Sequence, residues 1–391
     1  MIEEWKEYKL GDVCQVINGR AYKQEELLDK GKYRVLRVGN IFQGNNWYYS
    51  DLELPQDKYC DNGDLLYAWS CGFAPYIWDG GKTIYHYHIW KLIEDVSIAN
   101  KKFLYYYLIE NTKHFLGGTH GSVMLHLTKN GFEQQIVKLP SLQTQQRIAS
   151  ILSSLDDKIE CNRRINENLE QQAQALFKTW FVDFEPFRDE EFEESELGMI
   201  PKGWRVGTLN EIADITMGTS PSGTSYNADG IGDVFYQGRA EFGFRFPHRN
   251  LFTTEAKRFA DVDTVLVSVR APVGDINVAE ERCCIGRGLT SVKSKTNCNS
   301  YILYLMQNLK PVFDRFNGEG TVFGSINKKA FEEMQIIIPT KSVVNNFESI
   351  VCSMDCQIKR TEQESRRLAS LRDSLLPKLM NGELRVEDVK I

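Results

Sequence analysis

The stretch Gln145-Gln146-Arg147-Ile148-Ala149-Ser150-Ile151-Leu152-Ser153-Ser154-Leu155-Asp156-Asp157-Lys158-Ile159 opens the run whose reading decides the fold. Along it and beyond, Ile148, Leu152, Leu155, Ile159, Asn162, Asn166, Leu169, Ala173 and Leu176 keep an unbroken 4-3-4-3 spacing. Residues at that spacing share one face of a helix and form an a/d seam, the pattern of a coiled coil. At roughly 1.5 Å per residue, a rod from 148 to 176 is about 43 Å long. The same offsets applied later in the chain select Phe347, Val351, Met354, Ile358, Thr361, Ser365, Leu368, Arg372 and Leu375. Asn381-Gly382 supplies a C-terminal stop for this second rod. Two ordinary amphipathic helices, each packed on its own globule, are the alternative to a paired seam.

Outward from the rods, the whole chain repeats after about 199 residues. Trp5-x4-Leu10-x-Asp12-Val13-x2-Val16-x2-Gly19 returns as Trp204-x4-Leu209-x-Glu211-Ile212-x2-Ile215-x2-Gly218. Val38-Gly39-Asn40 aligns with Gln237-Gly238-Arg239, and Asp61-x2-Asp64-Leu65-Leu66 with Asp261-x2-Thr264-Val265-Leu266 after a one-residue slip. Lys129-x2-Phe132-Glu133 answers Lys328-x2-Phe331-Glu332, and Pro140 answers Pro339. Ordered agreement across most of each half makes the chain a tandem repeat. Within each half, short β-rich runs such as Tyr33–Val38, Leu65–Trp69 and Val265–Val269 are punctuated by Gly, Asn and Asp. One helical stretch follows in each, Lys102–Asn111 and Ser300–Asn308. A buried strand before proline closes each, Gln135–Leu139 and Gln335–Ile338. The expected division is 1–140 as a first globule, 141–182 as a first rod, 183–203 as an acidic linker, 204–339 as a second globule, and 340–391 as a second rod with its tail.

Composition narrows the function classes. With 42% hydrophobic and 26% charged residues, the 391-residue chain has the balance of an ordinary soluble protein. No apolar run approaches the roughly 18 residues of a membrane span, and the opening Met1-Ile2-Glu3-Glu4-Trp5-Lys6 is not a secretory signal. Nine scattered cysteines without a CxxC pair fit a reducing, cytoplasmic setting. The net charge of −6 is local: residues 181–203 carry eight acids against Arg188 and Lys202, also a net of −6, so the rest of the chain is neutral. Whole-chain acidity therefore does not argue against a nucleic-acid partner on any one face. The acidic stretch, with Phe184, Phe187 and Phe192 interleaved, reads as a tethered, solvated spacer.

The residues around the first rod are familiar. Leu139-Pro140-Ser141-Leu142-x2-Gln145-Gln146-Arg147-Ile148-Ala149-x-Ile151-Leu152-Ser153-x-Leu155-Asp156-x-Lys158-Ile159, then Leu176-Phe177-Lys178-x-Trp180-Phe181-Val182-Asp183-Phe184-Glu185-Pro186-Phe187 and Leu197-Gly198-x-Ile200-Pro201-Lys202-Gly203-Trp204, resemble the specificity subunit of type I restriction–modification systems. The globule–rod–globule–rod order over the whole chain is that family's order. The second copy departs from it, because Ser342-Val343-Val344-Asn345-Asn346-Phe347 lacks the Gln-Gln-Arg of the first. The resemblance implies an α+β fold: two α/β target-recognition globules separated by two long antiparallel coiled-coil helices, in a pseudo-two-fold tandem repeat. It implies that each globule reads one half of a bipartite, asymmetric double-stranded DNA site and that the rods set the gap. Two modification subunits would dock on the rods and methylate adenine. Restriction subunits, which cut DNA with ATP, are further implied partners. S-adenosylmethionine, ATP and Mg belong to those partners, so this chain is expected to hold no cofactor, no metal and no catalytic residue. A scaffold whose globules bind proteins, with the rods as dimerisers, and an enzyme with a cryptic hydrolase site are the competing classes.

Searching for chemistry returns decoys. Asp79-Gly80-Gly81-Lys82-Thr83 imitates the end of a phosphate loop, but Tyr76 stands where its first glycine belongs. Phe73-Ala74-Pro75-Tyr76 lacks the leading acid or amide and one proline of an amino-methyltransferase motif. Glu255-Ala256-Lys257 is a nuclease triplet without its upstream acid. His86 and His88 share a strand face with no third ligand and read as a packed pair. His120 and His126 carry the same reading.

Reading bases takes arginine, lysine, asparagine or glutamine at loop edges; anchoring phosphates takes cations, hydroxyls and backbone N–H groups. Loop positions that follow equivalent strands in both copies give the candidates. These are Arg20, Tyr22, Arg37, Asn40, Ser122 and Lys129 in the first half. In the second they are Thr219, Arg239, Arg245, Arg270, Arg287, Thr321 and Lys328. One more expectation concerns the polar break in both seams. If the rods run antiparallel, Asn162 and Asn166 should meet Thr361 and Ser365 near mid-rod, fixing register at some cost in stability.

Overall fold

The computed structural model describes residues 5–42, 44, 46–70, 72–116, 127–317 and 324–389. It falls into two units, residues 1–160 with 365–391 and residues 161–364. The long helices, Leu142–Phe181 and Lys341–Met380, each pass from one unit into the other, so each unit holds a globule and parts of both helices.

In the first unit, strand Lys6–Lys9 pairs antiparallel with Ile136–Leu139 and closes the globule at the start of the long helix. A four-stranded sheet runs in the order Cys14–Asn18, Ile89–Glu94, Leu65–Ala68, Ala74–Ile77. A second sheet has the order Tyr48–Ser50, Tyr33–Leu36, Thr83–Tyr85, Tyr59–Cys60, its central pair parallel. The helix Lys101–Phe115 begins where Asn100 Oδ1 accepts from the Phe103 N–H, a side-chain cap for one of its orphan donors. Buried Gln145 reaches the same place from the long helix. Its Oε1 accepts from the Asn100 N–H (2.9 Å), and its Nε2 donates to the carbonyls of Ile98 and Pro140. The core joins Leu10, Tyr67, Trp90, Phe103 and Phe132 to Ile148 and Leu152 of the first long helix and Leu379 of the second. Arg372 bonds Asp156 at 2.6 Å, whose other oxygen accepts from the Tyr106 hydroxyl.

The second unit repeats this plan. Arg205–Thr208 pairs with Gln335–Ile338. The four-stranded sheet is Ala213–Met217, Leu289–Ser294, Val265–Ser268, Ile276–Val278. In the second sheet, Asp233–Tyr236 and Cys283–Ile285 form the parallel pair. The copy lacking the Gln-Gln-Arg motif meets the same need differently. Glu348 of the long helix accepts from the N–H groups of Ser300 and Tyr301, at the start of helix Asn299–Asn308. A carboxylate there satisfies orphan donors and complements the helix dipole. The core packs Phe177 and Phe181 of the first long helix and Phe347 and Val351 of the second against Trp204, Val267, Tyr301 and Phe331.

Within each unit the two helices run antiparallel, because partners rise in number along one as they fall along the other. In the second unit Asn162 meets Thr361, while Phe177 and Phe181 meet Phe347. Of the expected seam, Ile148, Leu152, Leu155, Asn162, Asn166, Phe347, Val351, Ile358 and Thr361 are buried. Ile159, Leu169, Met354, Ser365 and Leu368 are half-buried. Asn162, fully buried, donates to Glu364 Oε2 (2.7 Å) and to the Thr361 carbonyl (3.4 Å), and the Thr361 hydroxyl donates to Asn166 Oδ1. Glu364, a residue off the a/d spacing, thus adds a carboxylate to this layer.

The second long helix ends at Met380, and Gly382 takes a positive φ of 76° just beyond it. Three expectations change. Tyr33–Val38 is a strand only to Leu36, and Val38–Phe42 is a helical turn. The first helical stretch runs four residues past Asn111, to Phe115. The acidic linker is no solvated spacer: Phe192–Ser195 and Gly198–Pro201 form a hairpin, and Phe187 and Ile200 are buried with Trp204. Its interleaved aromatics gave it an apolar face, and Lys202 pairs with Glu191 to offset part of the acidity.

Candidate nucleic-acid interface

One end of each four-stranded sheet carries the same backbone frame. In the first unit Gly19 N–H donates to Ile89 O (3.1 Å), Arg20 N–H to Tyr85 O (3.1 Å) and His86 N–H to Leu36 O (2.9 Å). The turn is completed by Ile89 N–H to His86 O (2.9 Å) and Trp69 N–H to His88 O (3.1 Å). Each bond has its counterpart in the second unit: Gly218 to Leu289 (2.9 Å), Thr219 to Ile285 (2.9 Å), Gly286 to Tyr236 (2.8 Å), Leu289 to Gly286 (3.0 Å) and Val269 to Gly288 (2.9 Å). The glycines are required by the approach. A Cβ at Gly19 would sit 2.3 Å from His86 O, and one at Gly218 2.2 Å from Gly286 O. The frame aligns Leu36 with Tyr236.

The candidate side chains fall into three groups. Arg20, Arg239, Lys129 and Lys328 already carry a partner. Arg20 makes a two-pronged bond to Glu26 (2.9 and 2.6 Å), which draws that carboxyl down to about 2. Arg239 pairs with Asp275, Lys129 with Glu133 (3.6 Å), and Lys328 with Glu332 (3.3 Å). The two lysines occupy equivalent short helices, Lys129–Glu133 and Lys328–Glu332, and such exposed pairs are weak enough to yield to a phosphate. Asn40 is spent on its own turn, accepting from Arg37 N–H and donating to Asn46 O (both 3.0 Å). Tyr22 is half-buried, stacked on His86 at 6.3 Å. The second group, Arg37, Thr219, Arg270 and Arg287, is exposed, and its three arginines have no carboxylate partner among the described residues. Arg37 lies over the Tyr48 ring at 4.9 Å. Ser122 and Thr321, with most of their glycine–hydroxyl loops, lie outside the described residues.

Arg245 forms the third group alone, and the structure removes it from the reading set. Its side chain is 4% exposed, paired with Glu170 and, at 2.6 Å, with Asp355. It also donates to the Tyr304 hydroxyl (3.1 Å), which donates in turn to Asp355 (2.8 Å). A guanidinium so held joins the second globule to both long helices and has no face left for a base.

His120 and His126 lie outside the described residues, while the Lys82 and His86–His88 decoys resolve into packing. Lys82 lies over the Tyr59 ring at 4.6 Å, held there by the turn at Gly81, and no phosphate loop forms around it. His86 and His88 lie 4.9 Å apart, ring to ring, within a cluster that includes Tyr22, Trp69 and Tyr87. Burial first, then the charges of His88 and Arg37, push His86 down to about 4, so it is neutral near pH 7. Among the described residues no three His, Cys, Asp or Glu side chains are grouped to hold a metal ion, and no helix is long and apolar enough to cross a membrane. Sequence reasoning missed the aromatic patch of Trp69 and Tyr87. Its only signal was the His86-x-His88 doublet.

A family model described as the type I restriction modification DNA specificity domain matches residues 2–171 and 201–346, one match to each half of the repeat. The chain belongs to that family. A putative type I restriction enzyme MjaX specificity subunit of Methanocaldococcus jannaschii is 29% identical over 98% of this chain and 95% of its own. The HindI specificity subunit of Haemophilus influenzae is 25% identical over 98% and 100%. The solved S subunit of a type I restriction–modification system from M. genitalium shares the fold, with a TM-score of 0.62 over 96% of both chains at 18% identity. Both halves of this specificity-domain chain thus carry the family's pattern, although their exposed frame residues differ.

Proposed function

We propose that the chain is the DNA-recognition subunit of a type I restriction–modification assembly, with each globule reading one half of a bipartite, asymmetric duplex site. The observation that carries this reading is the repeated backbone frame. Two units hold the same turn with five equivalent hydrogen bonds each, yet present different side chains, including exposed arginines that have no carboxylate partner among the described residues. A rigid scaffold with variable exposed polar groups is suited to sequence readout. In this reading the long helices set the gap between the half-sites and carry two modification subunits, with ATP-dependent restriction subunits as further partners. Adenine methylation, with its S-adenosylmethionine, and DNA cleavage belong to those partners. The chain itself is non-catalytic and works in the cytoplasm.

The test is binding of the full chain, alone and with modification subunits, to random-sequence duplex DNA across a salt series. Affinity should fall steeply and linearly in log–log form as phosphate contacts release counterions. A flat salt dependence, or no binding in either form, would favour the protein-scaffold reading.

A further inference from the structure

Resting on the DNA-reading role, we propose that the turn His86-Tyr87-His88 in one globule and Gly286-Arg287-Gly288 in the other is where the two half-sites are told apart. Arg287 reads a guanine in its half-site. Tyr87 presents an aromatic, uncharged contact, suited to a thymine methyl, in the other.

The geometry comes first. The hydrogen bonds of the frame place residues 86–88 and 286–288 at equivalent points at the end of each sheet. Further bonds hold the second turn: Arg287 N–H donates to Ser220 Oγ (3.2 Å) and Gly288 N–H to Gln237 O (3.3 Å). A Cβ at Gly286 would lie 2.9 Å from the Gln237 backbone, so this turn is pressed against its neighbour. The tip residue in each copy, Tyr87 or Arg287, is nevertheless exposed. A fixed backbone with an exposed tip is the arrangement a reading position needs, because the side chain then reaches the base edge from a known origin.

The chemistry of the tips differs. Arg287 has no carboxylate partner among the described residues, unlike Arg20, Arg239 and Arg245, and its flanking glycines add no side chains beside it. Its guanidinium keeps the fork of N–H donors that fits guanine O6 and N7 together. Tyr87 stands between two imidazoles, with ring centroids 4.5 Å from His86 and 4.0 Å from His88, and Trp69 lies 6.1 Å away. With His86 neutral near pH 7, that turn offers a ring face and a hydroxyl where the other offers a cation.

Selection of the full chain, with its modification subunits if binding requires them, from a randomised duplex library, followed by sequencing, tests this. The wild-type chain should return two half-sites. Arg287→Ala should make one G·C pair degenerate in one half only, with discrimination there falling roughly 5- to 150-fold, the worth of a two-pronged arginine–guanine contact. The turn swap H86G/Y87R/H88G should alter the other half only and add a G·C preference to it. Tyr87→Ala, which leaves the frame's backbone bonds in place, should relax one position in that same half without changing the salt slope. The proposal is overturned if the variants return the wild-type motif. It is equally overturned if Arg287→Ala weakens all sequences alike and lowers the salt slope by about one, the mark of a phosphate contact. A wild-type chain that selects no motif at all would instead defeat the underlying DNA-reading role.

Discussion

Replacing Arg245 with alanine separates a structural clamp from a DNA contact. The guanidinium is 4% exposed, and the side chains of its partners Glu170 and Asp355 are 13% and 18% exposed. Removing it leaves two carboxylates facing each other with little water, and strips Tyr304 of one hydrogen bond. Breaking a buried pair by deleting one partner costs about 3–5 kcal/mol, because the remaining charge is uncompensated. For a unit of roughly 200 residues, at about 2–4 °C per kcal/mol, the melting temperature should fall by about 6–20 °C. Thermal and urea unfolding at neutral pH measure this, with DNA binding followed in parallel below the transition. The combined variant Arg245→Met, Glu170→Gln, Asp355→Asn should recover most of the lost stability, since no charge is then stranded. An Arg245→Ala chain within about 1 kcal/mol of wild type that has lost its base preference would refute the clamp and restore this arginine to the reading face.

Asn162→Leu with Asn166→Leu should raise stability by about 1 kcal/mol while broadening the gap length selected in DNA, as loss of a buried polar layer loosens register. The Thr361 hydroxyl can turn its one proton to the carbonyl of Gln357 (2.8 Å) or Ile358 (3.0 Å), and half-buried Glu364 can turn to water, so an unfolded variant, or an unchanged gap, would count against a register role. Acid should destabilise the first unit through His86. Between its ordinary pKa near 6.5 and its native value of about 4, the unfolded chain binds the proton and the folded one does not. Stability from this group is therefore complete above that window and is lost as pH falls through it. Urea midpoints at pH 7 and pH 5 should accordingly converge in a His86→Gln chain relative to wild type. Gly19→Ala and Gly218→Ala should each cost about 1–3 kcal/mol, since both Cβ atoms would meet a carbonyl oxygen within 2.3 Å; a neutral effect of either on the urea midpoint would show that the close approach is dispensable.

Periodicity alone makes the long helices legible, because a seam from Ile148 to Leu176 has no reading but a helical one. Repetition made the twofold plan legible in the same way: Gly19 and Gly218 recur because both copies need the same close approach. Burial was harder to see. Arg245 looks like any basic loop residue until Glu170 and Asp355, 75 and 110 positions away, close around it. Glu348 could not be recognised as the counterpart of Gln145's capping role, since the two sit at different offsets and differ in charge. His86 and His88 read as one strand face, yet the strand ends at Tyr85 and residues 87–88 turn; the stretch shares no residue type with 286–288, and only the backbone bonds reveal the equivalence. The hairpin at 192–201 was hidden by its charge, since Glu193 and Glu194 point an otherwise strand-like run toward solvent.

The most direct test of the DNA-recognition role is to express the chain with its modification partner in a host lacking other adenine methylation and to sequence the methylated adenines. Two short, unlike half-sites separated by a gap of fixed length, methylated in both halves, is the expected result. Swapping the turn 86–88 should then change one half alone. Methylation in a single contiguous motif, or none beyond what the modification partner produces without this chain, would contradict it.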